Sequence, residues 1–224
     1  MVQHMTQLHY SFPRCGNLPL GLYPIVDSFQ WVEKLLPTGV TTLQLRIKNK
    51  DGSALEKEIR DSIALATHYK TRLFINDAWE LAIRHHAYGV HLGQEDLNNA
   101  DIEKIYNAGL RLGISTHSDA EITHALLFKP SYLAFGPVFP TTSKIIAAVP
   151  QGLEHLKRHQ QRILNYPLVV IGGINHTNLA DVIATNVNGV AMISAITHAE
   201  DPIATTKKFL EMFNKQAQPN SYSP

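Results

Sequence analysis

The chain has a single cysteine, Cys15, among 224 residues. One thiol cannot close an internal disulfide, and such sparing use fits a reducing compartment. Net charge is also scarce: 20 Lys and Arg against 19 Asp and Glu leave +1 at pH 7. A protein that binds nucleic acid or an anionic membrane carries a broad basic surface, which this balance does not supply. A local basic pocket remains open. No apolar run approaches the roughly 20 residues that a membrane-spanning helix needs. The opening stretch, MVQHMTQLHYSFPRCGNLPL, has no apolar segment of the secretory kind. Paired metal spacings are missing as well. There are 12 histidines, yet no HExxH and no Cys/His pair, so a zinc centre has little support. The expectation is a cytoplasmic protein whose partners are small molecules, with no nucleic acid and no membrane. A homo-oligomer is compatible with all of this.

What is present is an ordinary globular composition, 44% hydrophobic, ample for one large domain or two small ones. Apolar runs and helical patterns alternate along it. GLYPIVD (21–27) reads as a first strand, and Ser28 then caps a helix that carries Val32, Leu35 and Leu36 and stops at Pro37 and Gly39. TTLQLRI (41–47) is the second strand, and Leu55, Ile59, Ile63 and Ala66 mark the helix after it. Further strands are predicted over 72–75, 89–92, 110–115, 132–138, 168–171 and 189–193. Short helices are predicted between them. Ser118 and Glu121 form a capping box, and Asp201-Pro202 opens a last helix to about Phe213. Eight βα units in a chain of this length predict an α/β protein with a single-domain (β/α)8 TIM barrel. A doubly wound sheet would use fewer strands and carry G-x-G-x-x-G after the first, which GLYPIVDS lacks. The barrel is expected over 21–214, with an N-terminal arm over 1–20 and a polar tail over 215–224.

Active sites of such barrels lie at the C-terminal ends of the strands. Polar residues gather there. The second strand ends in Gln44, Arg46 and Lys48, which alternate with Leu45 and Ile47 and so share a side. Two cations and an amide suit a polyphosphate. The third strand ends in Asn76-Asp77, and the fourth in Gln94-Glu95-Asp96. Parallel strands joined by a helix bring Asp77 and Asp96 to one sheet edge, where two carboxylates can hold a hard cation such as Mg²⁺ together with a phosphate. The competing reading is that both aspartates cap helices. Ser115 ends the fifth strand, and a loop over 140–150 carries Thr141 and Lys144 after the sixth. Gly172-Gly173 and Ser194 end the last two strands, where these barrels often bind one phosphate through backbone N–H groups. The competing reading of the glycine pair is a turn that needs positive φ.

The segments QLRIK (44–48), FIND (74–77), GVHLGQEDL (89–97), GISTH (113–117), GPVFPTTSK (136–144), IGGI (171–174) and GVAMISAI (189–196) resemble the thiamine-phosphate synthase (thiamine-phosphate pyrophosphorylase) family, in order and over most of the chain. The resemblance implies a transferase. It couples 4-amino-2-methyl-5-hydroxymethylpyrimidine diphosphate with 4-methyl-5-(2-phosphoethyl)thiazole, giving thiamine monophosphate and pyrophosphate with Mg²⁺. It further implies that Gln44, Leu45, Arg46, Ile47, Lys48, Asn76, Ser115 and Lys144 hold the pyrimidine diphosphate. Arg46, Lys48, Lys144 and Ser115 would serve the reaction itself, and Asp77 and Asp96 would bind one Mg²⁺. Thr141, Thr142, Ser143, Gly173, Ile193 and Ser194 would hold the thiazole phosphate. Two positions depart from the family pattern: Ser143 stands where a second threonine is usual, and Ala78 where an arginine is common. A dissociative displacement needs no strong base, so His91 and His117 need not be catalytic. Rival readings are a thiazole tautomerase-like paralogue, a sugar-phosphate isomerase and a non-catalytic thiamine-precursor binding protein. The first would have lost much of the diphosphate and metal set, and the second needs a positioned acid–base pair.

Overall fold

A strand buried on both faces reads as a near-continuous apolar run, and the runs above form such strands. The structure is a computed structural model that describes residues 11–141, 150–163 and 166–217. Its strands are β1 (Gly21–Val26), β2 (Thr42–Leu45), β3 (Arg72–Asn76) and β4 (Gly89–Leu92), then β5 (Arg111–Thr116), β6 (Tyr132–Phe135), β7 (Leu168–Val170) and β8 (Gly189–Met192). All pair in parallel and in sequence order, and β8 returns to β1 through Gly21↔Gly189 to Pro24↔Met192. The barrel is therefore closed, as the eight βα units predict.

The covering helices are α1 (Phe29–Leu35), α2 (Gly52–His68), α3 (Trp79–Arg84), α4 (Gln94–Asn99) and α5 (Ile102–Asn107), followed by α6 (Asp119–Leu126), α7 (Gly152–Arg162), α8 (Leu179–Ile183), α9 (Ser194–Thr197) and α10 (Pro202–Ala217). Among the described residues, strict one-to-one alternation fails at two places. Both α4 and α5 follow β4, and both α9 and α10 follow β8. The break between α4 and α5 is local: Ala100 is extended, and the Asp101 carboxylate accepts the Lys104 N–H at 3.0 Å to start a new helix. The last helix starts as expected, with Asp201 accepting the N–H groups of Ile203 and Ala204 at 3.0 Å each. It continues through Ala217, past the predicted end, and takes in the first residues of the expected tail.

Two strands stop two or three residues earlier than the sequence implies. β6 ends at Phe135 because Gly136 is followed by Pro137, which has no N–H for the ladder. β2 ends at Leu45, after which the Arg46 N–H still reaches Val26 O at 2.7 Å. Side chains that point outward from the strands, such as Leu43, Ile75, Leu112 and Val170, form one core with the inner faces of the helices. Each fully buried aliphatic side chain there contributes about 1.5–3 kcal/mol relative to exposure. The inward side chains form a second cluster around Tyr23, Phe74 and Tyr132.

Residues 11–20 lie across the N-terminal end of the barrel. Arg72, at the start of β3, donates to the carbonyls of Cys15, Leu18 and Pro19 at 3.1, 3.1 and 2.7 Å. Cys15 and Leu20 belong to the inner cluster. That end of the barrel is plugged, which leaves the opposite end for a site.

Candidate active site

At the C-terminal ends of the strands the inward side chains line a cavity of about 700 Å³. Its floor is Tyr23, Gln44, His91 and Ala134, and its apolar wall is Ile25, Val169, Ile171 and Met192. Of the sequence-predicted site residues, Gln44, Arg46, Asn76 and Ser115 line it on one side and Thr141, Gly173, Ile193 and Ser194 on the other. One space thus spans from β2 around to β8.

Lys48 is placed differently. Its amine pairs with the Asp77 carboxylate at the rim, beside an adjoining hollow that Leu45, Ile47 and Asn76 also line. The expected shared face of Gln44, Arg46 and Lys48 does not extend that far, because the strand that would carry the alternation stops at Leu45. Leu45 itself is 1% exposed and packs into the core outside the barrel. Its side chain faces away from the mouth. Thr142, Ser143 and Lys144, with most of the loop that carries them, lie outside the described residues.

Asp77 and Asp96 meet at the ends of β3 and β4, but not as helix caps. The N-cap of α3 is Ala78 and that of α4 is Gly93, and Asp96 sits in the first turn of α4. Asp77 holds a left-handed backbone, φ 60°, and its N–H donates to His91 O at 3.0 Å, extending the β3–β4 ladder by one residue. Burial first, and then the charge of Asp77, raise the Asp96 carboxyl above its usual range, and the two carboxyls are close enough to share a proton. Carboxylates this close repel unless a cation or a proton comes between them. Their oxygens are the donors a hard divalent cation takes. Among the described residues no group of three or more His, Cys, Asp or Glu can hold a metal unaided. Two carboxylates leave most of an octahedral shell to water and substrate oxygens, which is how Mg²⁺ is usually held.

The glycine pair has a demanding geometry. Gly172 has φ 104° and Gly173 φ 62°. A Cβ on Gly172 would come within 2.5 Å of Pro137, and one on Gly173 within 2.3 Å of Pro140 O. The turn reading is therefore correct, and it brings backbone to the cavity wall. Asn178 donates to Gly173 O at 3.0 Å and accepts the Asn175 N–H at 2.9 Å, fixing the turn. Asn175 lines the cavity too and escaped the sequence reading, although it directly follows the glycine motif.

Beneath Ser115 runs a buried polar chain that the sequence does not announce. Gln44 Nε2 donates to Tyr23 Oη at 3.4 Å, and the two phenol oxygens of Tyr23 and Tyr132 are 2.8 Å apart. Tyr132 Oη lies 2.7 Å from His91 Nδ1, and His91 Nε2 lies 2.8 Å from Ser115 Oγ. Gln94, in the first turn of α4, donates to Ser115 O at 2.6 Å.

A closed (β/α)8 barrel whose mouth joins an arginine, a carboxylate pair and a glycine turn has the groups that bind phosphorylated small molecules. Residues 22–196 match the family described as thiamine monophosphate synthase. The chain is 55% identical over 193 residues to the thiamine-phosphate synthase of Klebsiella pneumoniae, covering 86% of this chain and 92% of that protein. It is 54% identical over 193 residues to that of Proteus mirabilis, at 86% and 90% coverage. The solved thiamine phosphate pyrophosphorylase of Pyrococcus furiosus matches with a TM-score of 0.79 at 32% identity, over 89% of this chain and 98% of that one. The chain belongs to the thiamine monophosphate synthase family, transferases of thiamine biosynthesis. Among the described residues no helix is long and apolar enough to cross a membrane.

Proposed function

We propose that the barrel mouth joins 4-amino-2-methyl-5-hydroxymethylpyrimidine diphosphate to 4-methyl-5-(2-phosphoethyl)thiazole, forming thiamine monophosphate and pyrophosphate. The observation that carries this is the single cavity with Arg46 and the nearby carboxylate pair on one side and Gly173 and Ser194 on the other. That spacing suits one diphosphate and one monophosphate with an aromatic pair between them. The family uses a metal ion, and the ion proposed here is one Mg²⁺ per site on Asp77 and Asp96. Bound there, it would offset negative charge on the leaving diphosphate.

The thiazole nitrogen supplies the electron pair of the new C–N bond. The C–O bond to diphosphate breaks and its electrons leave with that group. The ring amino group delocalises the positive charge left on the pyrimidine methylene, so the displacement is dissociative and needs no strong base. Arg46, Lys48 and Lys144 stabilise the departing charge. Gln44, Asn76 and Ser115 orient the pyrimidine half, with Leu45 and Ile47 contributing through their backbone. Thr141, Thr142, Ser143, Gly173, Ile193 and Ser194 hold the thiazole half.

Incubation of the chain with both substrates and Mg²⁺ tests the reading. Equal amounts of pyrophosphate and thiamine monophosphate are expected, with the reaction stopped by excess chelator. Interconversion of thiazole isomers without pyrophosphate release would instead indicate the tautomerase-like paralogue. Ligand binding with no turnover would indicate a carrier.

A further inference from the structure

The chain of hydrogen bonds under Ser115 has a direction, and one end of it sets that direction. A side-chain amide nitrogen only donates. Gln44 Nε2 faces Tyr23 Oη at 3.4 Å, so Tyr23 accepts there and must place its own proton elsewhere. Its other polar neighbour is Tyr132 Oη, 2.8 Å away. Tyr132, now an acceptor, passes its proton to His91 Nδ1 at 2.7 Å. An imidazole that accepts at Nδ1 and is neutral carries its proton on Nε2. That proton meets Ser115 Oγ at 2.8 Å. Ser115 accepts from His91, which leaves its hydroxyl proton for the cavity that it lines.

The setting makes this order costly to disturb. Tyr23 and Tyr132 are 1% and 0% exposed, and burial raises both phenols above their usual range, so each keeps its proton. An unpaired buried hydroxyl loses its solvation without replacement. The His91 ring also stacks on Tyr132, at 5.7 Å and 26°, which limits its rotation. The opposite polarity would require the Gln44 amide to turn its oxygen to Tyr23. Every proton would then reverse, and Ser115 would spend its own on His91.

We propose that His91 is a positioning residue, held as the neutral Nε2–H tautomer by the Gln44–Tyr23–Tyr132 chain, and that it presents the Ser115 hydroxyl as a hydrogen-bond donor to a lone pair of the bound pyrimidine diphosphate. The second half of this rests on the reaction proposed above. The first half concerns the free protein alone.

Histidine ¹⁵N NMR on the full chain reads the tautomer directly, with the His91 signal assigned by its loss in His91→Gln. The expected result is an Nε2–H signal in the free protein, unchanged by ligand. An Nδ1–H signal would overturn the proposal, because the chain would then run the other way. Kinetics test the link to Ser115. Tyr132→Phe should lower kcat about 10- to 100-fold, the scale seen when a group that orients a functional side chain is removed, with KM little changed. In the Ser115→Ala background the same change should cost almost nothing more, since the two act as a unit. Equal losses in both backgrounds would mean that Tyr132 serves only packing and would overturn the positioning role. Tyr23→Phe offers the same cycle should Tyr132→Phe fold poorly. A wild-type chain that shows the expected tautomer but releases no pyrophosphate would overturn the reaction and with it the role of Ser115 in it, while upholding the polarity of the chain.

Discussion

Asp96 shows at the scale of one residue how a site can oppose its own fold. Burial and the neighbouring Asp77 raise its carboxyl while Lys48, paired with Asp77, pulls the other way; the rise prevails, so an ionised Asp96 costs the metal-free protein stability. Removing one charge should therefore help the fold and harm the function. Asp96→Asn is expected to unfold at a slightly higher temperature than the parent in metal-free buffer. Its turnover should fall by roughly two to three orders of magnitude, the scale of losing a main charge stabiliser. Asp77→Ala should show the same kinetic loss. Full activity of Asp77→Ala in excess chelator would sink the metal assignment. The mouth residues could be read from the sequence because a barrel puts strand ends at its site, and FIND and HLGQED are visibly strand ends. The chain beneath them could not. Tyr23 and Tyr132 are 109 positions apart, and nothing local in either neighbourhood marks a partner.

At the scale of the element, inward-facing glycines make room for aromatics on neighbouring strands. Gly113 of β5 pairs with Tyr132 of β6, and Gly89 of β4 pairs with Phe74 of β3. A Cβ on Gly113 would stand 2.2 Å from the Tyr132 ring, and one on Gly89 2.6 Å from the Phe74 ring. Neither position has positive φ, so the requirement is space and not backbone conformation. Gly113→Ala is expected to destabilise by about 1–3 kcal/mol through overpacking, read as a lower urea midpoint. It should also slow turnover, since it displaces the ring that holds His91. An unchanged midpoint would mean that the ring can move aside at no cost. Such pairs explain which parts of the elements were legible. Strands β4 and β7 announce themselves as short apolar runs. The end of β2 does not, because pairing with a neighbour sets it and not composition, whereas the end of β6 is written in Gly136-Pro137, inside the apolar run that the expected strand took whole. The α4–α5 pair hides for another reason. QEDLNNADI is too short for a helical period to appear, and only the Asp101 cap separates its two helices.

At the scale of the whole molecule, the described residues form a barrel whose N-terminal end is closed by residues 11–20, and that end makes its own prediction. Arg72 and Arg111, the first residues of β3 and β5, hold the arm by its carbonyls, with Arg111 Nε donating to Arg14 O at 3.4 Å. Cys15 is thereby sealed against Leu20 and the inner cluster at 5% exposure. Burial raises its thiol from 9.0 to about 11, against the opposing pull of Arg72 and Arg111. A native pKa above the unfolded one means that the unfolded chain loses this proton first as pH rises. The stability contribution is then complete below pH 9 and is lost between about 9 and 11. A shift of that size corresponds to roughly 2–3 kcal/mol once both limits are passed. Urea titrations of the parent should therefore show a falling midpoint over that interval, and Cys15→Ala should flatten that part of the profile. The thiol also reports on the arm. Because it is protonated and enclosed, a disulfide reagent at pH 8 should label it only when the arm opens. If the arm opens only with the barrel, the labelling rate should rise with urea as steeply as global unfolding does. Fast labelling that ignores low urea would show the arm peeling away alone, and residues 11–20 would then be a cover laid over the barrel and not part of its cooperative fold.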